Sequence, residues 1–164
     1  MKQSLFFAII LAVFFFTFIS CNNGGVASTS AHKNSTIQKN LAINDALFKA
    51  VEIGDRAALD TLISNNIVDH NGINNKLTTN ADSVRSMLAD SHKPLKDFKI
   101  RIITAAANDD YVFTYEDVTG KTLDSTKEQP DGVPIHSNPV DLVKIKNGKV
   151  VEHWEFENSN KIKN

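Results

Sequence analysis

The chain has 164 residues, 18 basic and 19 acidic side chains, a formal charge of −1 and a single cysteine. That length suits one compact domain. A balanced charge with no basic stripe argues against nucleic acid as a partner, and one cysteine leaves no internal disulfide framework.

Lys2 precedes Leu5 to Ile19, an almost unbroken apolar run. A short positive start and an apolar core of this length read as a secretory signal, too short for a comfortable membrane span. Cys21 comes at once, after Phe18-Ile19-Ser20. The arrangement resembles a bacterial lipoprotein signal, in which cleavage before the cysteine frees it for lipidation. That resemblance implies a signal peptide over 1–20, a lipid anchor on Cys21 and a place in the bacterial cell envelope after export. An unpaired thiol in an uncleaved anchor, or ordinary secretory cleavage, are the alternatives. Residues 21–40 open on Asn22-Asn23-Gly24-Gly25 and stay small and polar; they are expected to be a flexible tether. The folded domain is then 41–160.

Within it, Leu41 to Ile53 places Leu47, Phe48 and Val51 on one helical stripe. Gly54-Asp55 should stop that helix and cap a second one carrying Leu59, Leu62 and Ile63. A short β-like piece, Ile67 to His70, runs into an Asn71-Gly72 turn. Thr79-Asn80-Ala81-Asp82 looks like a capping box opening a third helix, with Val84, Met87 and Leu88 inward and Pro94 closing the segment. Strands come next. Asp97 to Ala107 alternates Phe98, Ile100 and Ile102 against Lys99, Arg101 and Ile103, and Tyr111 to Thr119 sets Tyr111, Phe113 and Tyr115 on one face. Gly120 to Val133 reads as a long polar loop, either a lid or a solvated excursion.

The closing stretch, Asp141 to Asn158, holds two β-rich runs around Asn147-Gly148, a strong two-residue hairpin signal. Counting outward from a Lys146–Lys149 pair, Ile145 faces Val150, Val143 faces Glu152 and Asp141 faces Trp154. Paired residues share a face. One face therefore reads Asp141, Val143, Ile145, Val150, Glu152, Trp154, Phe156, and the other Val140, Leu142, Lys144, Val151, His153, Glu155. On the first, Asp141 is an acid among apolar groups, with Glu152 diagonal to it. Desolvation and like-charge repulsion would favour its protonated form, as proton transfer at a carbonyl compound requires.

Three helices followed by an antiparallel sheet make an α+β domain. Val140-Asp141-Leu142 followed by Asn147-Gly148-Lys149-Val150-Val151-Glu152-His153-Trp154-Glu155 resembles the SnoaL-like branch of the nuclear transport factor two-like superfamily, with Lys144 and Glu155 where arginine and aspartate are usual. Asp69-His70-Asn71 is similar to the family's His-Asn-Pro element, with Gly72 in place of the proline. The resemblance implies a cone: a curved antiparallel sheet with about three N-terminal helices enclosing a pocket. It also implies that Asp141 is the acid/base aspartate of the polyketide-cyclase members and His70 a pocket histidine. Trp154, Tyr111, Phe113, His136 and Glu152 are the candidate ligand-binding residues. His153 belongs to the Glu-His-Trp signature but falls on the half-polar face, where a structural hydrogen bond is expected.

Neither zinc-ligand spacing, a phosphate loop nor a nucleophile elbow is present, so no cofactor or metal is expected. Three readings stay open. The pocket catalyses cofactor-free isomerase, cyclase or aldol-type chemistry on a small apolar carbonyl compound; it binds a small hydrophobic ligand without chemistry; or the outer sheet face pairs subunits or envelope partners and the pocket is vestigial. A homodimer is expected through the face bearing Val140, Leu142 and Val151.

Overall fold

A computed structural model describes residues 24–123 and 132–156. Cys21, the signal-like segment, most of the polar loop after Leu123 and the charged tail lie outside them. The helices are α1 (Gly24–Ile53), α2 (Arg56–Leu62), a single-turn α3 (Gly72–Asn75) and α4 (Ala81–Asp90). The strands are β1 (Ile63–Asp69), β2 (Leu95–Ala107), β3 (Tyr111–Thr122), β4 (Pro134–Ser137), β5 (Val140–Lys146) and β6 (Lys149–Phe156). They form one sheet in the order β1-β6-β5-β3-β2, with β4 added to β3.

The caps work as their residue types require. Asp55 accepts from Ala58 N and Asn80 from Ser83 N, each satisfying an orphan amide of a first turn. Arg85, buried on α4, donates through Nη2 to Ile63 O and Asn65 Oδ1 at 2.8 and 2.7 Å, fixing that helix to β1. The core gathers Leu47, Leu59, Ile63, Val84, Val112 and Val143 between the helices and the inner sheet face.

Helix α1 corrects the expected tether: it begins at Gly24, not near Leu41. Once the apolar turns after Leu41 are held by packing, each preceding residue extends the helix at the cost of one residue's freedom for one hydrogen bond. Asn40 is itself buried, its amide donating to Asn108 O and Asp109 O. One turn later Asn44 and Thr114 share a buried hydrogen bond of 3.0 Å. Strand β1 also starts earlier than expected, at Ile63, and lies parallel to β6.

Irregularities bend the sheet. Asn147 and Gly148 both take positive φ, as a tight hairpin turn demands, and Ile145 pairs with Val150 as counted. The next pair is Lys144 with Glu152, so Val151 is an extra residue on β6. Strand β2 has a similar irregularity between Ile102 and Thr104. Bulges of this kind curl a sheet and re-aim the side chains beyond them. Past Val151 every side chain of β6 points opposite to the expected face: Asp141 stands across from Glu155, Val143 from His153, and Leu142 from Trp154.

Candidate functional site

Between the helices and the curled sheet lies a cavity of about 180 Å³. Leu47, Phe48 and Val51 of α1, Phe98 and Ile100 of β2 and Val118 of β3 make most of its wall apolar. The exceptions are Glu116, Asp141, His153 and Glu155, together with Ser91 after α4. Glu116 comes from the inward set of β3, Asp141 from β5, and His153 reaches the cavity because the Val151 bulge turns it inward.

These groups form a row. Asp69, fully buried at the end of β1, places Oδ1 3.2 Å from His153 Nδ1, and His153 Nε2 lies 3.3 Å from Asp141 Oδ1. Glu116, two residues along β3 from the strand partner of Asp141, lines the cavity beside it. Asp69 Oδ1 also accepts from Asn71 N, which sets its rotamer. Burial, reinforced by Asp141 and Glu155, pushes the Glu116 carboxyl up to about 10, so it is a neutral acid at pH 7. Burial alone would lower His153, but its hydrogen bonds to Asp141 and Asp69 outweigh that and hold the imidazole up to about 10, charged. The site thus offers an imidazolium between two carboxyl groups and a protonated carboxylic acid beside the second of them. Neighbouring titratable groups driven to different charge states are what acid/base chemistry uses.

Of the residues singled out from sequence, Asp141 lines the cavity and the others do not. His70 comes directly after the inward Asp69, so alternation sends it to the outer face. There it stacks on Trp154 with ring centres 4.3 Å apart and planes 7° from parallel. Trp154 and Glu152 are outward because of the bulge. Glu152 pairs with Lys144 at 2.6 Å, and that ammonium holds its carboxyl below the usual range. Lys144 also sits 5.5 Å over the Tyr111 ring. Phe113 is half exposed on the same outer face. His136, exposed on β4, bonds Asp117 at 2.6 Å. Asp69, Glu116 and the inward His153 are the members the sequence reading missed. For Glu116 a signal existed: it alternates with Tyr111, Phe113 and Tyr115, so outward aromatics imply an inward acid. Among the described residues no group of three or more His, Cys, Asp and Glu side chains is arranged to hold a metal ion.

The sequence matches the model of the SnoaL-like domain over residues 45–153. The chain belongs to the SnoaL-like family. Curated proteins include no sequence match to it. Among solved structures, AclR from Streptomyces galilaeus, a candidate hydroxylase, aligns at 22% identity with a TM-score of 0.63, covering 76% of this chain and 92% of AclR. A SnoaL-like polyketide cyclase from Agrobacterium tumefaciens aligns at 12% and 0.59, covering 71% and 89%. An LEH-like epoxide hydrolase from Mycobacterium tuberculosis aligns at 10% and 0.60, covering 74% and 84%. These likenesses establish the SnoaL-like, nuclear transport factor two-like cone for this chain.

Proposed function

We propose that the SnoaL-like cavity binds a small, mostly apolar carbonyl compound and carries out cofactor-free acid/base chemistry of the isomerase, cyclase or aldol type. The observation that carries this reading is the buried row Asp69–His153–Asp141–Glu116, whose last three members line a mostly apolar cavity. Asp141 is the proton acceptor, Glu116 the neutral acid that steadies developing negative charge, and His153 the charged partner that Asp69 orients. Relatives in the fold named as a cyclase and an epoxide hydrolase support small-molecule chemistry here. Native mass spectrometry of the chain purified from its source should carry over a compound of about one ring in size. The purified chain should also accelerate deuterium exchange at the α-carbons of cyclohexanone in D2O, followed by NMR. An empty chain together with exchange at the buffer rate would overturn the reading.

A second property is favoured by the outer sheet face. Phe113 and Phe156 are 50% and 53% exposed there and Tyr115 39%, beside Val140, Leu142 and Trp154, which the strand pairing brings to the same side. Exposed apolar side chains gathered on one face mark interaction surfaces. We propose that it joins two copies of the chain, the commonest oligomeric arrangement. Light scattering should return twice the chain mass, and a monomer at high micromolar concentration excludes the dimer.

Envelope anchoring is the third part of the proposal. The apolar run Leu5 to Ile19 directly before Cys21 supports lipidation at that cysteine. Several acyl chains anchor stably where one does not. Cys21→Ala should move the protein out of the membrane fraction or leave it unprocessed; unaltered processing and membrane retention would dismiss the anchor.

A further inference from the structure

Resting on the acid/base reading above, we infer that Asn71 is a positioning residue for this site, the one that holds His153 between Asp69 and Asp141. Asn71 lines no part of the cavity and acts through two neighbours of the imidazole. Its backbone N–H donates to Asp69 Oδ1 at 3.0 Å, the same oxygen that lies 3.2 Å from His153 Nδ1. Its side-chain Oδ1 accepts from Glu155 N at 2.8 Å, two residues past His153 on β6.

The second bond supplies a rung that the backbone does not. Strands β1 and β6 run parallel with Asp69 beside His153, and His70 N donates to His153 O at 2.9 Å. In an evenly spaced parallel ladder the next donor, Glu155 N, would meet the carbonyl of His70. The chain turns at His70 and Asn71 instead, and the Asn71 side chain stands in for that carbonyl, as asparagine does beside turns. This rung lies beyond the Val151 bulge. It therefore opposes a slip of β6 to the unbulged register, which would carry His153 out of the cavity. The turn itself is held from behind: Asp69 and Thr78 exchange two backbone hydrogen bonds of 2.8 Å, and a Cβ at Gly72 would collide with the Thr78 side chain. One residue thus fixes both the carboxylate that orients the imidazole and the strand that carries it.

NMR of the purified full chain near pH 7 tests this through the ring N–H protons of His153, identified by their absence in His153→Leu. Held between two carboxylates, they should exchange slowly with water and be resolved. Asn71→Ala should broaden or shift them and slow α-proton exchange of cyclohexanone on the order of 10- to 100-fold, the cost of a small misplacement. Asn71→Asp keeps an acceptor for Glu155 N and should restore both. Asn80→Ala, which removes a helix cap outside the site, should lower the melting temperature by a few degrees and leave both unchanged. Unaltered His153 signals in Asn71→Ala, no restoration in Asn71→Asp, or equal loss in Asn80→Ala overturns the assignment. So does the absence of resolved signals in the unaltered chain. If Asn71→Ala fails to fold, Asn71→Ser, whose side chain is one atom shorter and falls short of the Glu155 amide, takes its place with the same outcomes. No cyclohexanone exchange by the unaltered chain counts against the acid/base reading, and the His153 signals then decide on Asn71 alone.

Discussion

Replacing His153 with leucine should lower the melting temperature by on the order of ten degrees near neutral pH. The imidazolium lies between Asp69 and Asp141, 3.2 and 3.3 Å from their oxygens. Removing one member of a buried charged set strands the others, typically at a cost of about 3–5 kcal/mol, and each kcal/mol moves the melting point of a domain this size by a few degrees. The unaltered protein carries the same electrostatics in its pH profile. Glu116 and His153 have ordinary values of 4.5 and 6.5, and both stand at about 10 in the fold. Between the ordinary and folded values the folded chain holds the extra protons, so stability falls as pH rises. Each contribution is complete below its ordinary value and gone above about 10. Thermal denaturation from pH 5 to 10 should therefore show a melting temperature that declines throughout, more steeply above about 6.5. His153→Leu should lose that added steepness. A flat or rising profile in the unaltered chain would refute the charge assignment.

Asp141→Asn should cut α-proton exchange of cyclohexanone by about 10²- to 10⁴-fold, the usual contribution of a positioned general base. Fold stability should change far less. The asparagine carbonyl can still accept from His153 Nε2, and Asp69 remains to pair with the imidazolium. A purely structural Asp141 would give the reverse: a melting point lowered by several degrees through a broken buried hydrogen bond, with exchange unaffected. One melting curve beside one exchange time course separates the two, and exchange at the unaltered rate would remove Asp141 from the chemistry.

Much of the architecture is legible in the chain because the interactions that set it are local. Asp55 and Asn80 cap helices within a few residues of themselves, Asn147-Gly148 closes its own turn, and alternation along β2 and β3 sorts Ile100 from Lys99 and Val112 from Phe113. Asp141 is legible for the same reason: an acid at an inward position of a strand that otherwise alternates cleanly. Periodicity gives two faces but not which of them is inside. Tyr111 and Phe113 read from sequence as ligand-binding candidates, although the helices cover the face of Val112, Thr114 and Glu116.

The composition of the site was decided by tertiary structure. A single extra residue at Val151 reverses the side-chain direction of the rest of β6, because the strand period is two and a slip of one moves a whole set across the sheet. Nothing in Lys149 to Phe156 announces that bulge by its own pattern. It belongs to the pairing of β6 with β5 on one side and with the parallel β1, some eighty residues earlier, on the other. That pairing carries Trp154 and Glu152 outward to His70 and Lys144. It brings His153 between Asp69 and Asp141, where partners from distant strands set its charge. The sequence by itself determined the cone and one acid; which imidazole that acid meets, and the neutral carboxyl beside it, depend on long-range strand register that no local pattern encodes.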